Sequence, residues 1–219
     1  YSVNIKERLD FSCAIFDNDG QLVANAPHIP VHLGSMSESV QTIVRERGEG
    51  VKPGDVFVLN APYNGGTHLP DVTVMTPVFD ESGKRILFYV ASRGHHAEIG
   101  GKTPGSMPAD AYSIWEEGLR VPPVKIFEKG VMNEGVLQIM LNNSRTPDMN
   151  RADLMALIAG CRTASKRVLE ICDRFGRETY LEACGLLLDR TKEAMRLRED
   201  AAQKKRMAEA KAQLLSETS

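Results

Sequence analysis

The sequence predicts an α+β protein, with β-hairpins and long glycine-rich loops in its first part and helices after about residue 133. Three observations carry that expectation. Runs rich in Val, Ile and Phe fall before residue 100 and are punctuated by Gly, Pro and Asp, the pattern of short strands joined by turns. After residue 150 the apolar residues recur at helical spacing instead. All five histidines lie in the first 96 residues, so the two parts also differ in the chemistry they offer.

In chain order, residues 11–16 read as a strand, Asp17-Asn18-Asp19-Gly20 as a turn and residues 21–24 as the returning strand, a hairpin closed by Asp-Gly. Met36, Val40, Ile43 and Val44 predict a helix over residues 35–47, with Gly48 as its stop. Pro53-Gly54-Asp55 introduces a strand at residues 56–59. Residues 72–79 and 85–92 form a second hairpin around Asp80-Glu81-Ser82-Gly83. A long loop follows at residues 98–108, and loops of that length in compact domains are commonly functional. Trp115 is expected to anchor it. Asn150 stands as a helix N-cap with Asp153 three residues on. Leu154, Leu157, Ile158, Cys161, Val168, Ile171, Cys172 and Phe175 then make one apolar stripe, which Gly176 ends. From Asp189 the chain is densely charged without a sustained heptad, so the tail is either a solvated helix or frayed. The expected division is a domain over residues 1–176 and a charged helical tail over 177–219.

The 219 residues carry 27 basic and 29 acidic side chains, a net charge of −2. That balance lacks the basic excess of a nucleic-acid binder. No stretch approaches about 18 uncharged apolar residues, which argues against a membrane span. The first residue is Tyr1 and no basic-then-apolar leader follows, so the chain reads as the interior of a longer, cytoplasmic product. Cys13, Cys161, Cys172 and Cys184 form no C-x-x-C pair and are expected to be small buried hydrophobes in a reducing compartment.

The chemistry concentrates in Asn64-Gly65-Gly66-Thr67-His68-Leu69-Pro70-Asp71, which enters the second hairpin, and in Gly94-His95-His96, which leaves it. If Phe79 pairs with Lys84 across the turn, His68 stands opposite His95 and Asp71 opposite Ser92. Directly opposed residues have Cβ atoms about 5 Å apart, and a slip in register substitutes His96 for His95. Pro70 breaks the pleat so that His68 and Asp71 can both turn inward. Two imidazoles and a carboxylate with open positions suit a divalent Zn, Mn or Fe ion, which lowers the pKa of bound water or polarises a carbonyl.

His28 and His32 are separated by Pro30, which is expected to prevent a helix. Extended backbone holds them about 13 Å apart, so both read as loop histidines, with one of them able to reach the same pocket. Residues 96–103 miss a phosphate-binding loop by one residue: His96 replaces the first Gly, and Pro104-Gly105 stops the helix that such a loop needs. No G-x-S-x-G elbow occurs and no Cys lies near the histidines in sequence, so a serine or cysteine nucleophile is not expected.

Five segments together resemble the hydantoinase B / oxoprolinase family. They are residues 4–12 (NIKERLDFS), 26–34 (APHIPVHLG), 64–71, 92–101 (SRGHHAEIGG) and 104–108 (PGSMP), in the family's order. The resemblance covers about residues 3–176; family subunits are more than twice this length, so the chain resembles a fragment of one. It implies a two-component reaction, in which a partner of the hydantoinase A type binds ATP and Mg and phosphorylates an amide or enol oxygen. The B-type component then acts on the activated species at a metal site. The metal ligands implied are His68, Asp71 and His95.

The function expected is therefore the metal-bearing part of an ATP-dependent cyclic amide hydrolase acting on 5-oxoproline or a hydantoin. His96 or Glu98 is the general acid/base candidate, Arg93 the partner of a substrate carboxylate, and Asn64 and His32 further substrate-binding candidates. Carboxylation of a ketone, as in the acetone carboxylase relatives, is the second enzymatic reading. A catalytically silent assembly module is the third.

Overall fold

The computed structural model describes residues 1–26 and 28–217; Pro27 of the Pro27-His28-Ile29-Pro30 run and residues 218–219 lie outside it, as do the side chains of residues 49, 208 and 210–217. The described residues divide into two compact units, one from Tyr1 to Ile171 and one from Cys172 onward.

A short helix α1 (Val3–Lys6) leads into β1 (Phe11–Phe16) and β2 (Leu22–Asn25). Along β1, half-buried and buried side chains alternate, the period of a strand with one face on a core. Asp17 closes this hairpin through its Oδ1, which accepts from the backbone N–H groups of Asp19 and Gln21. Next come α2 (Pro30–Arg47), β3 (Val56–Leu59), β4 (Asp71–Phe79), β5 (Ile86–His95), β6 (Val124–Glu128) and β7 (Val131–Met132). The seven strands form one sheet in the order β2-β1-β5-β4-β3-β6-β7, every pair antiparallel. The α+β expectation holds, although β6 and β7 were not foreseen.

One face of the sheet packs on α2. Met36, Val40 and Ile43 from the helix join Ala14, Phe16, Phe57, Leu59, Met75, Tyr89 and Ala91 from the strands in one buried cluster. The other face meets α4 (Pro147–Phe175), which follows α3 (Glu134–Asn142). A side chain at Gly94 would approach Ile5 and Leu157 to 2.8 and 3.3 Å, so glycine is what lets α1 and α4 close on β5. In the second unit, α5 (Arg177–Glu217) carries pairs such as Arg196–Glu193 at 2.9 Å along a solvated surface.

Four local expectations need correction. The register of β4 with β5 sets Asp71 opposite His95 and Thr73 opposite Arg93, not His68 opposite His95. The turn holds more residues than assumed, with Asp80 N–H donating to the Arg85 carbonyl, and a bulge follows Val78. Pro30 does not prevent a helix but opens α2 at its first turn, where the missing N–H has no partner to lose. Finally, α4 begins at Pro147, so Asn150 lies inside it; its Nδ2 donates to the Glu98 carbonyl at 2.6 Å. Gly176 ends α4 with φ +89° as expected, but Ile171 and Phe175 of the apolar stripe are exposed.

Candidate metal centre

His68 reaches the site from a loop fixed at its root by Asn60. The Asn60 Nδ2 donates to the carbonyls of Leu69 and Leu119, and its Oδ1 accepts from Val121 N–H. A Cβ on Gly66 would stand 2.2 Å from the Asn60 carbonyl oxygen, so the loop needs glycine there to pass. Asp71 N–H then donates to the His68 carbonyl, closing a tight turn around Pro70. Sequential proximity through that turn, rather than strand pairing, brings His68 to Asp71. Strand pairing supplies His95.

The three side chains converge. His68 Nε2 is 2.8 Å from Asp71 Oδ1, His95 Nδ1 is 3.2 Å from the same oxygen, and the two ring nitrogens are 3.2 Å apart. Asp71 is buried, His95 half-buried and His68 exposed. The second oxygen of Asp71 faces elsewhere: Oδ2 lies 3.3 Å from His32 Nε2 and accepts from Thr67 Oγ1 at 3.2 Å. Burial works to raise the Asp71 pKa, but the hydrogen bonds from His32, His68 and His95 outweigh it and hold the carboxyl far below its usual range. The bond to Asp71 in turn raises the His68 pKa against the effect of its own burial.

These three donor atoms fit a divalent cation. Bonds of about 2.0–2.2 Å in tetrahedral or octahedral geometry set neighbouring donors roughly 2.8–3.5 Å apart, and all three observed edges lie in that range. Two imidazole nitrogens and a carboxylate oxygen are also a donor set that Zn, Mn or Fe(II) accepts. A cavity of about 420 Å³ opens onto the cluster, lined by Arg8, Asp10, Ile29, Val31, His32, His68, Asp71 and His95. His68 also borders a second cavity of about 310 Å³, with Pro70, Ser106, Met107, Pro108, Ala109 and Glu117.

His32 belongs to this cavity because α2 starts at Pro30, which corrects its reading as a loop histidine. Its Nδ1 lies 3.2 Å from Ser12 Oγ, and its Nε2 is 3.7 Å from Asp10. His28, by contrast, accepts from Cys13 N–H at 3.0 Å and serves the hairpin. Asp10 and Arg8 were not singled out from sequence. The NIKERLDFS segment that carries the resemblance contains both, and that was the available signal.

Other expected residues stand elsewhere. Arg93 is fully buried, donating to Thr73 Oγ1, Ser39 Oγ and Ser35 Oγ. Its guanidinium clips α2 to the sheet and is closed to a substrate carboxylate, and burial pushes its pKa down to about 10. His96 is buried, makes no well-formed side-chain hydrogen bond among the described residues, and has its pKa pushed down to about 4 by that burial. Glu98 accepts from Gly100 N–H, Gly105 N–H, Ser106 Oγ and Arg145 Nη1; it is a knot in the long loop. Neither His96 nor Glu98 lines the two cavities that share His68. Asn64 sits in a 3-10 turn with its amide toward Glu46, 3.5 Å away. Trp115 is 71% exposed with the Arg120 guanidinium 4.6 Å above its ring, so it is no buried anchor. Residues 96–103 form a loop in which Lys102 is paired with Glu116 at 2.5 Å.

An antiparallel sheet between helices, with two histidines and an aspartate meeting at the ends of its central strands, defines an α+β protein with a candidate metal centre. The chain belongs to the hydantoinase B/oxoprolinase family, whose model matches residues 1–215. That match runs past residue 176 into the charged helix. The chain is 48% identical over 190 residues to 5-oxoprolinase 1 of Arabidopsis thaliana, covering 81% of this chain and 15% of the plant protein. It is 33% identical over 201 residues to the B-type component of a putative D-/L-hydantoinase from Pseudomonas sp. strain NS671, covering 90% of this chain and 34% of that one. Among solved structures, the ATP-dependent caprolactamase from Pseudomonas jessenii superposes with a TM-score of 0.81 at 32% identity, over 85% of this chain and 32% of its own. The chain thus spans about a third or less of the length of each of these relatives.

Proposed function

We propose that this chain is the metal-bearing B-type portion of an ATP-dependent cyclic amide hydrolase that opens 5-oxoproline or a hydantoin, with ATP handled by a hydantoinase A-type partner. The observation that carries this reading is the triangle of His68 Nε2, Asp71 Oδ1 and His95 Nδ1 at the floor of a small-molecule cavity. Ring opening is favoured over ketone carboxylation because the two named sequence relatives are an oxoprolinase and a hydantoinase component.

His68, Asp71 and His95 would hold a divalent ion, which supplies a polarised carbonyl or a water of lowered pKa. Asp71 keeps its charge throughout, since its pKa is depressed. His32, fixed by Ser12 and directed at Asp71 Oδ2, holds that carboxylate in orientation from behind. Of the groups facing the cavity, Asp10 and His32 are placed to move a proton, a role that buried His96 and tied Glu98 leave open.

Elemental analysis of the purified chain tests the reading, beside His68→Ala and His95→Ala variants folded to the same extent. Near-stoichiometric metal in the parent, lost in both variants, is expected. Absence of metal after exposure to Zn, Mn and Fe would sink the site and leave an assembly role.

A further inference from the structure

The turn between α1 and β1 stands out backbone-first. Leu9 adopts φ +55°, a left-handed conformation that a branched apolar residue rarely takes. Its side chain is 61% exposed, so packing does not offset the strain. The turn is nevertheless pinned on both sides: Arg8 N–H donates to Val3 carbonyl, Asp10 N–H to Asn4 carbonyl, and the Asp10 carbonyl accepts from His95 N–H. What the strain accomplishes is to present Arg8 and Asp10, the residues flanking Leu9, to one cavity.

The two charges there do not cancel each other. Asp10 Oδ1 is directed at His32 Nε2, 3.7 Å away. Among the described residues, the Arg8 guanidinium has no ion-pair or hydrogen-bond partner, and Arg8 is the cavity's single permanent cation. An unpartnered guanidinium in a cavity that is also lined by apolar Ile29 and Val31 and by the metal-type donors His68, Asp71 and His95 matches a ligand of three parts: an anion, a small ring and a polar carbonyl.

We infer that Arg8 is the anion-recognition residue of this cavity, taking the carboxylate of a small cyclic amide whose ring packs on Ile29 and Val31 and whose amide faces His68, Asp71 and His95. The inference rests on the cyclic-amide reading above and moves to Arg8 the carboxylate role that buried Arg93 cannot fill.

Calorimetric binding to the Zn-equilibrated chain tests it with three probes: 5-oxoproline (amide and carboxylate), 2-pyrrolidone (amide alone) and cyclopentanecarboxylate (carboxylate alone). The parent should bind 5-oxoproline about ten- to a hundredfold more tightly than 2-pyrrolidone, the range of a charge-assisted hydrogen bond. Arg8→Gln should abolish that preference and leave 2-pyrrolidone unchanged. Because Arg8 is exposed, the variant should keep the parent's thermal midpoint. Arg8-dependent binding of cyclopentanecarboxylate without any binding of 2-pyrrolidone supports the anion assignment while overturning the cyclic-amide reading. If Arg8→Gln leaves 5-oxoproline affinity unchanged, weakens both lactams equally, or if neither carboxylate binds the parent, the assignment to Arg8 is overturned.

Discussion

Asp71 and Glu98 are both buried carboxylates near the ends of the central hairpin, and they do opposite work. Asp71 is surrounded by three imidazoles, groups that can surrender a proton and turn a lone pair toward a cation. Glu98 is surrounded by two backbone N–H groups, an arginine and a serine; the first three have no lone pair to offer a cation, and the serine hydroxyl is spent on the loop. One carboxylate lines a cavity; the other has both oxygens engaged in holding a loop. The neighbours of a carboxylate, more than its burial, decide whether it is available for chemistry.

The comparison breaks first if the two carboxylates fail to separate under mutation. Asp71→Asn should reduce Zn affinity by more than about a hundredfold, since residues that merely support a ligand already contribute 10–100-fold. Glu98→Ala should leave Zn affinity near the parent's and lower unfolding free energy by about 1–3 kcal/mol, because buried Gly100 N–H loses its acceptor while exposed Arg145 turns to water. Chelator competition and urea denaturation on both variants read the two effects. Equal loss of metal in both would erase the distinction.

A smaller effect is expected from pH. Metal binding requires neutral imidazoles, and the His68 pKa is raised above its ordinary 6.5. Zn affinity should therefore climb as pH rises through that range, by about tenfold per unit for each imidazole proton displaced. The metal-free chain behaves in the opposite sense. His68 contributes stability that is full below 6.5 and fades as pH rises through its folded value, while the depressed Asp71 contributes stability above 3.8 that is lost on acidification. The cluster without metal should be most stabilising between those two values. A Zn affinity that does not change between about pH 6 and 8 would contradict the availability of these imidazoles.

Smallest is the change at Leu9. Leu9→Gly relieves about 1–2 kcal/mol of left-handed strain and loses about 0.5–1 kcal/mol to glycine's greater freedom when unfolded. A net gain of at most about 1.5 kcal/mol in urea denaturation is the expected outcome. A clear loss would mean that the Leu9 side chain supports the turn.

Local patterns in the sequence were enough for β1, β3 and the β4–β5 hairpin, because alternation and turn residues act over a few positions. The cluster itself was legible as a set of residue types, yet its geometry was not. Counting across the turn assumed no bulge, and one bulge after Val78 together with a longer turn moved the register by three positions. Proline at residue 30 was read as a breaker because its meaning depends on whether a helix starts or continues there. The burial of Arg93 and the engagement of Glu98 are illegible for another reason. Nearly all of β5 is buried on both faces, so no alternation separates a buried arginine from an open one. The partners that occupy Glu98, Ser106 and Arg145, lie 8 and 47 residues away, beyond the reach of any motif.

The register pairing of Asp71 with His95 has a further consequence. Both residues sit on strands flanked by others within the sheet, and Arg93, two residues before His95, ties that stretch to α2 through Ser35 and Ser39. Two of the three donors are thus immobilised when the chain folds, and only His68, exposed on its loop, retains freedom to adjust. Such preorganisation shifts the entropic penalty of assembling the cluster away from the moment of binding. An incoming ion would meet a half-finished cradle and need only the exposed arm to close it.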